Sequence, residues 1–254
     1  MTRFAAPKII ACPTCKGYLH QLRIATFHCN PSAVRYWTDG VHSSGFEVIK
    51  SPLLHCPECA TPFWKNDAKV IGELPDEPRK MDWFDIIYAK LTGDKERKFA
   101  AQRHWESIPE EIKSANPGKP TNIGDWLTIL YGSAGLSPER ESITRRKLWQ
   151  EGNNHLRLRS DGTPWVDSPK LANDFVKQNM LALLHLHERN FVNDPIEKAE
   201  ILRQLGRFDE ARGVLETIRS DHLTMMASQI RMLIDVTSSE VQLVNYGETY
   251  TNSK

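Results

Sequence analysis

Apolar positions change their spacing along this chain. Up to about residue 74 they alternate, with Leu22/Ile24 and Phe46/Val48 stepping by two as half-buried strands do. Asn30-Pro31 and Asp39-Gly40 supply turn residues between them, and Pro75-Asp76-Glu77-Pro78 makes a polar break. Beyond it the spacing is helical. Trp83, Ile86, Ile87 and Leu91 predict a helix capped by Asp82. A weaker segment follows around Trp105 to Ile112, then a loop at Asn116 to Pro120. A short helix through Trp126 and Leu130 is predicted to stop at Gly132.

The C-terminal third carries explicit start signals. Ser137-Pro138, Ser168-Pro169 and Asp194-Pro195 each put a capping side chain before a proline, whose missing amide hydrogen costs nothing in a first helical turn. Glu197 stands where a capping box would use it. Leu171, Phe175/Val176, Met180, Leu183/Leu184 and His187 form an apolar stripe that must pack on neighbours. A further helix is predicted from about His222 to Val236, preceded by Asp221. The tail from Thr237 is polar apart from Val241 to Tyr246, a strand or a frayed end. The predicted class is therefore α+β, a small β-rich head followed by a mostly α-helical domain. Its expected divisions are 1–74, a connecting helical region 75–136, a helical domain 137–236 and a tail 237–254.

Of 254 residues, 40% are hydrophobic and 26% charged, which fits a folded globular chain. A net charge of +1 gives no overall field for a polyanion. No apolar run reaches the length a membrane crossing needs. Only Ile9-Ile10-Ala11 separate Lys8 from the first cysteine, too short for the apolar core of a secretion signal.

Four of the five cysteines change the picture most. Cys12-Pro13-Thr14-Cys15 and Cys56-Pro57-Glu58-Cys59 repeat one motif, each pair spaced so that a short turn grips a metal ion. Together Cys12, Cys15, Cys56 and Cys59 supply the four thiolates of a tetrahedral structural Zn2+ site, which leaves no open position for substrate or water. Such usage fits a reducing, cytoplasmic location. Cys29 reads as a small buried side chain. The double motif resembles zinc-ribbon domains, although ribbon knuckles often place glycine after the second cysteine and this chain has Lys16 and Ala60 there.

Other candidates have a functional reading and a plainer one. His20, His28, His42 and His55 could replace a metal ligand, or be packing and surface residues, which a complete thiolate set favours. Arg35-Tyr36-Trp37-Thr38-Asp39-Gly40 could stack on a base or clasp a peptide; the plainer reading is a turn covering the small metal domain. Arg145, Arg146, Lys147, Arg157 and Arg159 cluster around Trp149 and Asn153-Asn154 as a nucleic-acid surface or as a solvated face tempered by Glu139, Glu141 and Glu151. No Walker loop, GxGxxG, HExxH or nucleophile elbow occurs, so no catalytic residue is named.

Leu205-Gly206-Arg207-Phe208-Asp209-Glu210-Ala211, with Ala199 before it and Leu215 after it, resembles the turn of a tetratricopeptide unit. One hairpin matches, and a free-standing solenoid needs at least three repeats. Ribbon head, Trp-Thr-Asp-Gly loop and helical hairpin together resemble a group of bacterial proteins of this architecture, and the resemblance implies no activity. The function expected is a non-enzymatic, zinc-binding interaction or scaffold protein that docks another protein through its helical region. The alternative is a nucleic-acid binder using the Arg145–Arg159 cluster.

Overall fold

A computed structural model describes residues 3–26, 34–42, 51–78, 83–84, 87, 95–132, 135–157, 170–218 and 224–244. The architecture is α+β, strands first and helices after. Contacts divide the chain into two compact units, Met1–His28 with Phe46–Thr121, and Cys29–Gly45 with Asn122–Lys254.

In the first unit, β1 (Arg3–Ala11) and β2 (Tyr18–Thr26) form an antiparallel hairpin whose turn is the first cysteine motif. β3 (Tyr36–Trp37) lies in the second unit. β4 (Leu53–His55) and β5 (Pro62–Trp64) make a second hairpin around the second motif, and β6 (Lys69–Glu73) joins β1 to complete a sheet of order β2-β1-β6. Ile10, Leu19, Leu54, Phe63 and Ala68 pack with Cys12 and Cys56 into one small core. A core this small needs additional fastening.

The first unit extends past the division expected at residue 74, for a packing reason. Trp105 and Ile108, from α1 (Lys95–Ser107) and the turn after it, pack with Ile112 of α2 (Glu110–Lys113) against Ile9, Tyr18 and Leu74. Pro109 separates the two short helices. The segment read as a loop at 116–120 is extended and ties the hairpins together. The His20 amide donates to the Asn116 carbonyl (3.1 Å), and His55 and Lys119 exchange amide bonds of 3.2 and 3.0 Å. Trp83, Phe84 and Ile87 are helical and exposed, while Ile86 and Leu91 of that predicted stripe lie outside the described residues. So do Phe46 and Val48.

The second unit holds α3 (Ile123–Gly132), α4 (Pro138–Gly152), α5 (Asn173–Glu188), α6 (Pro195–Gln204), α7 (Phe208–Glu216) and α8 (Thr224–Asp235). Its core is Trp149, Met180, Leu183, Leu184, Ile201, Leu202, Leu215 and Ile230. Ser137 caps α4 by accepting from the Arg140 amide (3.4 Å), and Asp194 caps α6 by accepting from the Glu197 amide (3.0 Å). The reciprocal arm of the capping box is absent, because the Glu197 carboxylate is taken by Arg146 and His187. α5 begins at Asn173, later than Ser168-Pro169 suggested, and Ser168 itself lies outside the described residues.

α6 ends at Gly206, whose φ of 77° is easy only for glycine. Its amide donates to the Arg203 carbonyl and the Arg207 amide to Leu202, closing the helix with a two-bond cap. α7 then turns back on α6 with Ala199 and Ala211 fully buried and Phe208 half-buried between them. The described part of the tail is ordered: β7 (Leu243–Val244) pairs antiparallel with β3.

Candidate metal centre

Each cysteine motif occupies a hairpin turn, and the two turns have matching backbone bonding. The Cys12 amide donates to the Gly17 carbonyl (2.9 Å) and the Lys16 amide to the Cys12 carbonyl (3.0 Å). At the second motif the Cys56 amide donates to Thr61 (3.1 Å) and the Ala60 amide to Cys56 (3.0 Å). Lys16 and Ala60 take φ values of 65° and 55°. The left-handed residue that closes such a knuckle is thus present at both positions without glycine, at a cost of about 1–2 kcal/mol each.

The four sulfurs lie within 4.8 Å of one another and form a group that could hold a metal ion. Cys12 to Cys59 is 3.8 Å and Cys15 to Cys56 is 3.7 Å. Zinc–sulfur bonds of about 2.3 Å place the corners of a tetrahedron about 3.8 Å apart, so these two edges have the length the ion requires. The first cysteine of each motif is buried, whereas Cys15 is exposed and Cys59 half-buried. Backbone amides complete the cradle: Gly17 bonds Cys15, Glu58 and Cys59 bond Cys56, and Thr61 bonds Cys59. Donors aimed at sulfur stabilise the thiolate form a metal needs. The Thr61 hydroxyl, with its amide, brings the Cys59 thiol down to about 6. Burial pushes Cys56 up to about 12.

No histidine joins this group among the described residues. His20 Nε2 lies 2.8 Å from the Ile112 carbonyl, and His42 stacks on Tyr36 at 5.7 Å. His55 sits in β4. His28 and Cys29 lie outside the described residues.

The Trp-Thr-Asp-Gly segment corrects an expectation. It belongs to the helical unit and is buried, with Trp37, Thr38 and Asp39 each 3% exposed or less. The Asp39 carboxylate pairs with Arg157 and accepts from Asn153 Nδ2 at 2.9 Å. From Asn153 the bonding continues through Gln204 to Glu200 and Arg203, both with no side-chain exposure. Trp149 donates to the same Gln204 oxygen at 2.9 Å. Burial raises the Asp39 carboxyl, against the opposing pull of Arg157 and Asn153.

This network absorbs much of the basic cluster. Arg145 pairs with Glu141, Arg146 with Glu197, and Arg157 with Asp39; Arg159 lies outside the described residues. Asp39, Glu200 and Arg203 were not picked out as a group in the sequence. The only local signal is the Glu200/Arg203 spacing, which equally describes an exposed helix pair. No family model, curated protein or solved structure matches the chain.

Proposed function

We propose that the chain is a non-catalytic, zinc-stapled interaction protein. Zn2+ held by Cys12, Cys15, Cys56 and Cys59 fastens the first unit, and the helical unit docks on another protein. The observation that carries this reading is the complete four-sulfur set. A fourth thiolate closes the coordination shell, so the ion supplies folding energy and no chemistry. The α6–α7 hairpin supports a tetratricopeptide-like docking element, since Ala199, Gly206, Ala211 and Leu215 do there what that unit asks of them. Met232 on α8 and Val236 in the turn directly after it, 57% and 70% exposed, give that body an apolar face. Four thiols kept for an ion suit a reducing compartment, and the cytoplasm is the location proposed. Among the described residues no helix is long and apolar enough to cross a membrane.

Nucleic-acid binding is the weaker reading, because Arg145, Arg146 and Arg157 are engaged in ion pairs within the protein. Cross-linking in host extract tests the two together. The proposal requires a protein adduct that disappears in the Met232→Asp/Val236→Asp variant. Oligonucleotide binding that weakens steeply with salt, with no such adduct, overturns it.

A further inference from the structure

The four sulfurs of the metal centre are not equivalent. Cys12 and Cys56, the first cysteine of each motif, are 0% exposed and pack among Ile10, Leu19, Leu54 and Phe63. Cys15 is exposed and Cys59 half-buried. The aligned sulfur contacts run between the motifs and join unlike members: exposed Cys15 to buried Cys56 at 3.7 Å, and half-buried Cys59 to buried Cys12 at 3.8 Å. Each contact therefore sets a sulfur that solvent reaches against one that it does not. In that arrangement an oxidant meets the outer thiolate, and its sheltered neighbour resolves the product as a disulfide. Glu58 adds a restriction on the oxidant. Its Oε2 lies 3.9 Å from Cys15 Sγ, a negative charge that turns away anions and leaves a small neutral molecule free to approach.

We propose that the metal centre is a peroxide-sensitive fastening, in which oxidation joins Cys15 to Cys56 and Cys59 to Cys12. The Cys15 thiolate attacks one oxygen of hydrogen peroxide; the O–O bond breaks, hydroxide leaves, and Cys15 becomes a sulfenic acid. The Cys56 thiolate then attacks that sulfur, the S–O bond breaks, and a second hydroxide leaves. Two electrons pass from the sulfur pair to one peroxide, and the two hydroxides take protons from solvent and end as water. Cys59 and Cys12 repeat the sequence with a second peroxide. A disulfide sulfur is no longer the thiolate that binds a metal, so the ion is given up. Two covalent links then hold the β1–β2 and β4–β5 hairpins together in its place. Release of the ion presupposes the zinc reading above; the pairing follows from the sulfur positions alone.

Excess hydrogen peroxide added to the full-length chain, wild type and Cys29→Ser, tests the proposal. Zinc release is followed with a chromogenic chelator, and the disulfides are mapped by mass spectrometry after trypsin. Dimedone present from the start labels any sulfenic acid. Both proteins release their zinc, and the peptide carrying Cys12 and Cys15 becomes linked to the one carrying Cys56 and Cys59, with Cys15 on Cys56 and Cys12 on Cys59. Dimedone is found on Cys15 and Cys59. Three results overturn the proposal: zinc retained while glutathione in the same sample is fully oxidised; each peptide closed on itself, as Cys12–Cys15 and Cys56–Cys59; or dimedone on Cys12 and Cys56 instead. A protein that carries no zinc before peroxide is added fails the zinc reading instead, and the disulfide map still decides the pairing.

Discussion

Replacing Asp39 by Asn removes one charge from a site where both partners are out of water. The Asp39 and Arg157 side chains are 0% and 1% exposed. Arg157 keeps its bonds to the Gln150 carbonyl (2.8 Å) and to Asn154, and its guanidinium still lies 5.7 Å from the Trp37 ring centre. No second carboxylate bonds it among the described residues, and its Nε has no partner. Breaking a buried pair on one side costs about 3–5 kcal/mol, because the remaining ion stays desolvated. With a urea dependence of about 2 kcal/mol per molar, the helical unit's midpoint falls by about 2 M. Urea titration followed by far-ultraviolet circular dichroism reads this. The reciprocal control is Asp39→Leu with Arg157→Met, which leaves no ion behind and recovers most of the loss, to within about 1–2 kcal/mol of wild type. A cost below about 1 kcal/mol for Asp39→Asn, or a double variant no better than the single one, refutes the claim that this segment is structurally part of the helical unit.

Gly206→Val forces a β-branched residue to a φ of 77° where a new Cβ meets no neighbour within 4 Å, so the penalty is conformational; a loss of about 1–2 kcal/mol is expected in the same titration, and unchanged stability contradicts it. At Ala60, φ 55°, glycine should equal or slightly raise the thermal stability of the metal-loaded first unit, and valine should lower it by about 1 kcal/mol or more; the opposite order contradicts the left-handed turn. Burial alone would raise the Glu197 carboxyl, but hydrogen bonds and charge from His187 and Arg146 win and hold it below its ordinary 4.5. An acid depressed on folding stabilises the fold above its unfolded pKa, and that contribution is lost as pH falls through the lower folded value. Glu197→Gln should therefore flatten the acid limb of a stability–pH curve below about 4.5, whereas parallel limbs argue against the arrangement.

Features resting on short spacings were legible in the sequence. The cysteine pairs, the caps at Ser137 and Asp194 and the turn at Gly206 are each written within a few residues, and the fold follows them. Partners far apart in sequence were not legible. Asp39 meets Arg157 across 118 positions, and no periodicity indicates that a turn between two metal motifs will neutralise an arginine beyond α4. β3 and β7 are two residues each, too short to carry an alternation. The 116–120 segment contains two prolines and a glycine and reads as a loop, yet its carbonyls and amides serve the free edges of β2 and β4. Glu197 satisfied the local capping rule, but an ion pair with Arg146 and a hydrogen bond with His187 claimed its carboxylate instead.

Zinc K-edge absorption spectroscopy on purified protein, with elemental analysis of the same sample, bears most directly on the ion's role as an anchor. Four sulfur neighbours at about 2.3 Å and one zinc per chain are predicted, with both lost in Cys12→Ser or Cys56→Ser and neither in Cys29→Ser. A shell containing an oxygen or nitrogen neighbour, or full zinc content in the Cys56→Ser protein, would contradict it.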